Sequence, residues 1–137
     1  KAEDLVFTQD WNIRPGQEWK SKIYGKGQKS GTAGHDVRSY KEAIIAAKSD
    51  GVDKVFLNIG INRILESMGR GELKIDPNRR PDVTIVDKEG RIHQIEVPSK
   101  TDIDEKLIER MEDTRSKLPE ELKGKYRVKH INDKSSN

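Results

Sequence analysis

Two β-branched stretches, Val83-Thr84-Ile85-Val86 and Ile92-His93-Gln94-Ile95-Glu96-Val97, are separated only by Asp87-Lys88-Glu89-Gly90-Arg91. That pattern forces the chain to fold back as a hairpin. β-branched residues favour extended backbone, and an acidic cluster ending in glycine is turn chemistry. A three-residue loop with Gly90 in the left-handed conformation makes a type I turn followed by a G1 bulge. Asp87 then pairs with Arg91. Counting back along the ladder, Asp82 pairs with Glu96. Paired residues share a face, with Cβ atoms about 4.5–5.5 Å apart. Two carboxylates that close repel unless a cation lies between them. Val83, Ile85, Ile95 and Val97 take the opposite face, as a buried core requires. A two-residue loop would shift the register by one and part the carboxylates.

The chain has 137 residues, enough for one domain with a modest core. Hydrophobic residues make up 31% and charged residues 37%. The apolar residues are too regularly patterned for a disordered chain. The net charge of +3 permits nucleic-acid binding without demanding it. The absence of cysteine excludes disulfides, thiolate catalysis and cysteine-based zinc sites. No apolar run approaches the ~18 residues of a membrane span, and no signal peptide is visible. The chain opens on Lys1-Ala2-Glu3 without an initiator Met, as a fragment of a longer polypeptide would.

Residues 1–36 read as a basic, glycine-rich arm, mostly irregular. They hold Trp11, Trp19 and five of the eleven glycines, and the stretch from Lys20 to Gly34 has four lysines and no acid. Lys26 and Lys29 are the candidates there for phosphate contact; the alternative is a solvated loop. Residues 37–131 form the expected core, and 132–137 a frayed tail. Val37, Tyr40, Ile44 and Ala47 recur at helical spacing, predicting a helix over 37–50 with Asp36 as N-cap and Gly51 as stop. A strand is expected over 54–59 and a short helix over 61–68. A long helix is expected over 101–118, opened by a Thr101–Asp104 capping box and ended by Pro119. A last strand is expected over 125–131. This order predicts the α/β class, a mixed central sheet flanked by helices.

Asp82 and Glu96 are the candidate metal ligands. Hard carboxylate oxygens suit Mg²⁺ or Mn²⁺, with Zn²⁺ a less natural choice. Such a metal polarises a phosphoryl oxygen and lowers the pKa of water. Lys100 is the candidate for steadying charge on the reacting phosphate, and Ser99 for a supporting hydrogen bond. The competing view makes Asp82 and Glu96 surface charges of a hairpin and Lys100 the cap of a loop. Arg79 and Arg80 flank Asp82 and are candidate phosphate contacts. His35, beside the glycine loop, is a candidate phosphate contact or general base. Glu42, opposite the apolar stripe of its helix, is expected on a solvated face, and Glu66 is a weaker candidate acid. His93 points away from Asp82 and reads as structural; His130 carries no assignment. Trp11 and Trp19 read as packing residues.

Pro81-Asp82, the hairpin, Glu96 and the downstream Lys100 resemble the PD-(D/E)xK nuclease superfamily, whose fold is restriction-endonuclease-like. The likeness covers roughly residues 37–131. It implies that Asp82 and Glu96 bind the metal and that Lys100 assists the nucleophile. One departure stands out. The family's lysine comes two residues after the glutamate, where this chain has Pro98, and Lys100 comes four after. Four extended residues span ~13 Å, so Lys100 reaches the site only if the chain bends at Pro98. The longer phrase from Arg79 to Asp102 also resembles the C-terminal toxin domains of bacterial polymorphic toxins of the contact-dependent-inhibition and Rhs types. That likeness implies a nuclease toxin acting on DNA, with tRNA as the alternative. It also implies a cognate immunity protein, and a C-terminal place in a secreted or surface-displayed bacterial protein that acts in the target-cell cytoplasm. The contrasting reading is an inactive nucleic-acid- or partner-binding module on the same fold.

Overall fold

The computed structural model describes residues 15–26 and 34–131. Along them run β1 (Ile23–Gly25), α1 (His35–Ala47), β2 (Val52–Leu57), α2 (Ile61–Ser67), β3 (Val83–Asp87), β4 (Ile92–Glu96), α3 (Asp104–Ser116) and β5 (Lys123–Val128), with 3₁₀ turns at Glu18–Lys22 and Glu120–Leu122. The strands form one mixed sheet in chain order, β1-β2-β3-β4-β5. β2, β3 and β4 are antiparallel neighbours. β1 lies parallel to β2, and β4 parallel to β5. Parallel neighbours need a crossover, and α1 and α3 supply the two. The carboxyl ends of β2, β4 and β5 therefore meet the start of β3 at one end of the sheet.

The central hairpin has the register its loop length predicts. Val83 faces Ile95, Thr84 faces Gln94, Ile85 faces His93 and Val86 faces Ile92. Gly90 has φ +87°, a conformation that a Cβ disfavours. The Asp87 N–H donates to the Arg91 carbonyl at 3.1 Å, and the Gly90 N–H to the Asp87 carbonyl at 3.0 Å.

Strand alternation sends side chains to two cores. On the α1 side, Ile23, Val55, Leu57, Val83 and Ile95 pack with Ala43 and Ala47. On the other side, Phe56, Val86 and Ile92 pack with Ile61, Ile64 and Leu65 of α2 and with Leu118 and Leu122. α3 buries Leu107, Met111 and Thr114.

The buried face of α1 keeps Tyr40, Ile44 and Ala47 of the apolar stripe, which pack on the α1-side core, but loses Val37 and gains polar residues. The helix starts at His35, with Gly34 rather than Asp36 at the N-cap. Val37 is 71% exposed, while His35, Arg38, Ser39, Glu42, Ala43 and Ala47 are buried. Glu42, expected on a solvated face, is 1% exposed. The small side chains of Ala43 and Ala47 let the helix lie close to the sheet, and its polar residues find partners there. Glu42 pairs with Arg38 at 3.0 Å and with Arg127 at 3.4 Å. Burial of such charges is tolerable only when they are paired.

Other boundaries shift as well. The Thr101–Asp104 capping box does not form. α3 begins at Asp104 behind Ile103, with no side-chain cap bond. Asp102 instead accepts from the Ser99 N–H and Oγ, closing a turn after Pro98. β2 and β5 each start two residues earlier than expected. β1 and the turn before it are ordered structure inside the arm expected to be irregular, with Trp19 packed against the α1-side core. Lys29, Trp11 and the tail 132–137 lie outside the described residues. Among the described residues no helix is long and apolar enough to cross a membrane.

Candidate active site

Asp82 and Glu96 are held against each other by reciprocal bonds between side chain and backbone. The Asp82 N–H donates to Glu96 Oε1 at 2.7 Å, and the Val97 N–H donates to Asp82 Oδ2 at 2.7 Å. These continue the β3–β4 register by one step beyond the strands and fix both carboxylates at the sheet end. His35 joins them from the first turn of α1. Its Nε2 donates to the Val97 carbonyl at 2.7 Å and lies 3.5 Å from Asp82 Oδ2. The ring is buried, so His35 ties the start of α1 to the end of β4. It is not a solvent-facing phosphate contact, and its donating Nε2 is not available as a base.

The carboxylates open into a cavity of about 270 Å³, lined also by His35, Arg80, Ser99, Asp102 and Arg110. Burial raises the Asp82 carboxyl above its ordinary range, and the Val97 N–H offsets this only in part. Burial, followed by the negative charge of Asp82, pushes Glu96 up to about 8. Two carboxyls raised by burial, Glu96 partly also by its neighbour, mark a place where positive charge is missing.

The remaining candidates divide by position. Ser99 lines the carboxylate cavity, but its hydroxyl donates to Asp102. Lys100 does not line it. The bend after Pro98 turns Lys100 to an adjoining cavity beside Asp104 and His130, which shares Ser99 and Asp102 with the first but neither Asp82 nor Glu96. Arg80 donates to the Asn58 carbonyl at 3.3 Å and borders the site. Arg79 is bound to Asp113 of α3 and lines a smaller neighbouring cavity of about 170 Å³, which also contains Arg80, Glu96 and Arg110. Lys26 is exposed just beyond β1. Glu66 is exposed on α2, and Glu42 is committed to its two arginines, so neither joins the pair. His93 pairs with Asp87 at 2.8 Å at the far end of the hairpin, in a structural role. His130 pairs with Asp104 at 2.8 Å.

Sequence reasoning missed Arg110 and Asp102 as site residues. A signal for Arg110 was present. It lies three residues after Leu107, which lines the same cavity, and residues three apart share a helix face.

Among the described residues no group of three or more His, Asp or Glu side chains is arranged as a metal cage. The donor set is two carboxylates facing an open polar cavity. This fits Mg²⁺ or Mn²⁺, which keep several waters and need only one or two carboxylates beside substrate phosphate. It does not fit a closed tetrahedral zinc site. No protein-family model, curated protein or solved structure matches the chain.

Proposed function

We propose that this chain is a metal-dependent nuclease domain of the restriction-endonuclease-like kind, acting on DNA, with tRNA as the second candidate substrate. One observation carries the reading: Asp82 and Glu96, adjacent across the hairpin and half-starved of positive charge, share the open end of a mixed sheet. The polymorphic-toxin likeness adds a toxic role and an immunity partner to the same proposal.

In this reading Asp82 and Glu96 hold the metal, which when bound supplies Lewis-acid activation of water and phosphoryl oxygen. The Val97 N–H and the His35 clamp keep Asp82 in place, and the Asp82 N–H orients Glu96. Arg80 offers a cation to the flanking phosphate. In the hydrolysis, a water oxygen bonds to phosphorus as a P–O ester bond breaks. The water's proton passes to solvent, and the leaving oxygen takes one back. The second reading, an inactive binding module, draws support from the placement of Lys100 in a different cavity.

Purified protein incubated with plasmid DNA and with total tRNA, in Mg²⁺, Mn²⁺, Zn²⁺ or chelator, tests the proposal. Cleavage of one substrate in Mg²⁺ or Mn²⁺ and none in chelator is expected. A thermal melt gives a readout besides activity. Mn²⁺ at 100 times its Kd stabilises by about 2.7 kcal/mol, and Asp82→Asn removes that shift. No cleavage with any metal, and no metal-dependent shift, would leave the binding module as the better reading.

A further inference from the structure

We infer that Arg110 of α3, rather than Lys100, is the cation that stabilises the reacting phosphate. This rests on the nuclease reading and names a catalytic group that the spacing after Glu96 does not reveal. Four observations support it. Arg110 lines two cavities that contain Glu96, the larger one with Asp82 and the smaller one with Arg79. It is exposed, and among the described residues its guanidinium has no hydrogen-bond or ion-pair partner. The other two arginines of the site are engaged, Arg79 with Asp113 and Arg80 with the Asn58 carbonyl. Lys100 opens to a cavity that holds neither carboxylate.

The chemistry suits the residue. A guanidinium stays protonated and presents a planar fork of donors to two phosphate oxygens. It takes no proton from water and gives none to the leaving group. It adds positive charge where the phosphoryl oxygens gain negative charge, and that interaction grows in the transition state. Leu107 and Met111, both buried, pin the turn of α3 that carries Arg110. The helix therefore fixes the backbone from which Arg110 reaches the cavities that it shares with Glu96.

The test compares wild type with Arg110→Ala, Arg110→Lys and Lys100→Ala, on whichever nucleic acid the wild type cleaves, with Mn²⁺ binding followed by calorimetry. Arg110→Ala is expected to slow cleavage about 10²–10³-fold, chiefly in kcat. Arg110→Lys recovers part of the rate, and Lys100→Ala stays within about threefold of wild type. Removing a cation beside Glu96 tightens Mn²⁺ binding, by about threefold to tenfold, while activity falls. A merely structural role would not give these opposite signs. An Arg110→Ala protein that cleaves at the wild-type rate, or an inactive Lys100→Ala protein beside an active Arg110→Ala one, overturns the inference while the nuclease reading stands. A wild type that cleaves nothing, with Mn²⁺ binding indifferent to Asp82→Asn, overturns the nuclease reading and this inference with it.

Discussion

The two ends of the β3–β4 hairpin are built from the same strands and the same residue types, yet they differ in charge balance. At the turn end, Asp87 Oδ1 accepts from the Glu89 and Arg91 N–H groups, and Oδ2 meets His93 Nε2 at 2.8 Å. Burial would raise the Asp87 carboxyl, but the bond from His93 and those from Arg91 and Glu89 outweigh it and hold the carboxyl low. At the open end, Asp82 and Glu96 face each other, and both are raised. A carboxylate surrounded by donors is finished structure. Two carboxyls raised by burial and without a full set of donors are the kind of pair that a bound cation would complete, as the proposed function requires.

The largest expected effect separates the ends by function. Asp82→Asn is expected to lower cleavage roughly 10³-fold or more if, as proposed, Asp82 and Glu96 together hold the metal. Asp87→Asn should leave the cleavage rate near wild type and cost about 0.5–1.5 kcal/mol of stability, since it weakens the bonds from the turn N–H groups and His93. Rates and urea denaturation of the two variants check this. Equal losses of activity would erase the distinction.

The next effect is in pH. Without metal, folded Glu96 keeps its proton up to about 8, whereas its ordinary value is 4.5. Between those values the folded state binds more protons than the unfolded one, so stability falls as pH rises through the window. The contribution is present in full below 4.5 and is lost by about 8, and is of the order of a few kcal/mol. Glu96→Gln should flatten this slope in chelator. Asp87, held low, works in the opposite sense: its contribution is present above its ordinary value and fades as pH falls. Denaturation midpoints from pH 4 to 9 read both.

The smallest effect tests what joins the two ends. Gly90→Ala strains a left-handed residue and should cost about 1–2 kcal/mol, with cleavage preserved if the register holds. A slipped register would part Asp82 from Glu96, and activity would be lost with little further change in stability.

The hairpin was legible because its causes are local. Loop length, Gly90 and strand alternation lie within sixteen residues, 82–97, and together fix which side chains face each other. The crossover helix α3 was legible from its spacing, although its first turn was not. Asp102 is drawn into the bend with Ser99, and Thr101 forms no cap. α1 was read correctly only in part: Ala47 is buried and Tyr40 and Ile44 pack against the α1-side core, as the stripe predicts, but the rest of the buried face was missed. Val37 fits the apolar stripe but faces solvent, while Arg38 and Glu42 go inward, because a partner 85 residues away, Arg127, is part of what makes the burial tolerable. β1 is three residues long in a glycine- and lysine-rich stretch, and only pairing with β2 makes it a strand.

The sequence by itself determined the α/β order, the hairpin and the meeting of Asp82 with Glu96, because short-range turn geometry and a period of two leave few alternatives. Tertiary structure alone decided which other groups surround that pair. His35 arrives from α1, 62 residues before the carbonyl it binds, and Arg110 arrives from α3, while Lys100, nearest in sequence, is turned elsewhere. Which groups reach a site at the end of a sheet depends on where the crossover helices pack, and that is set by burial on both faces rather than by spacing along the chain.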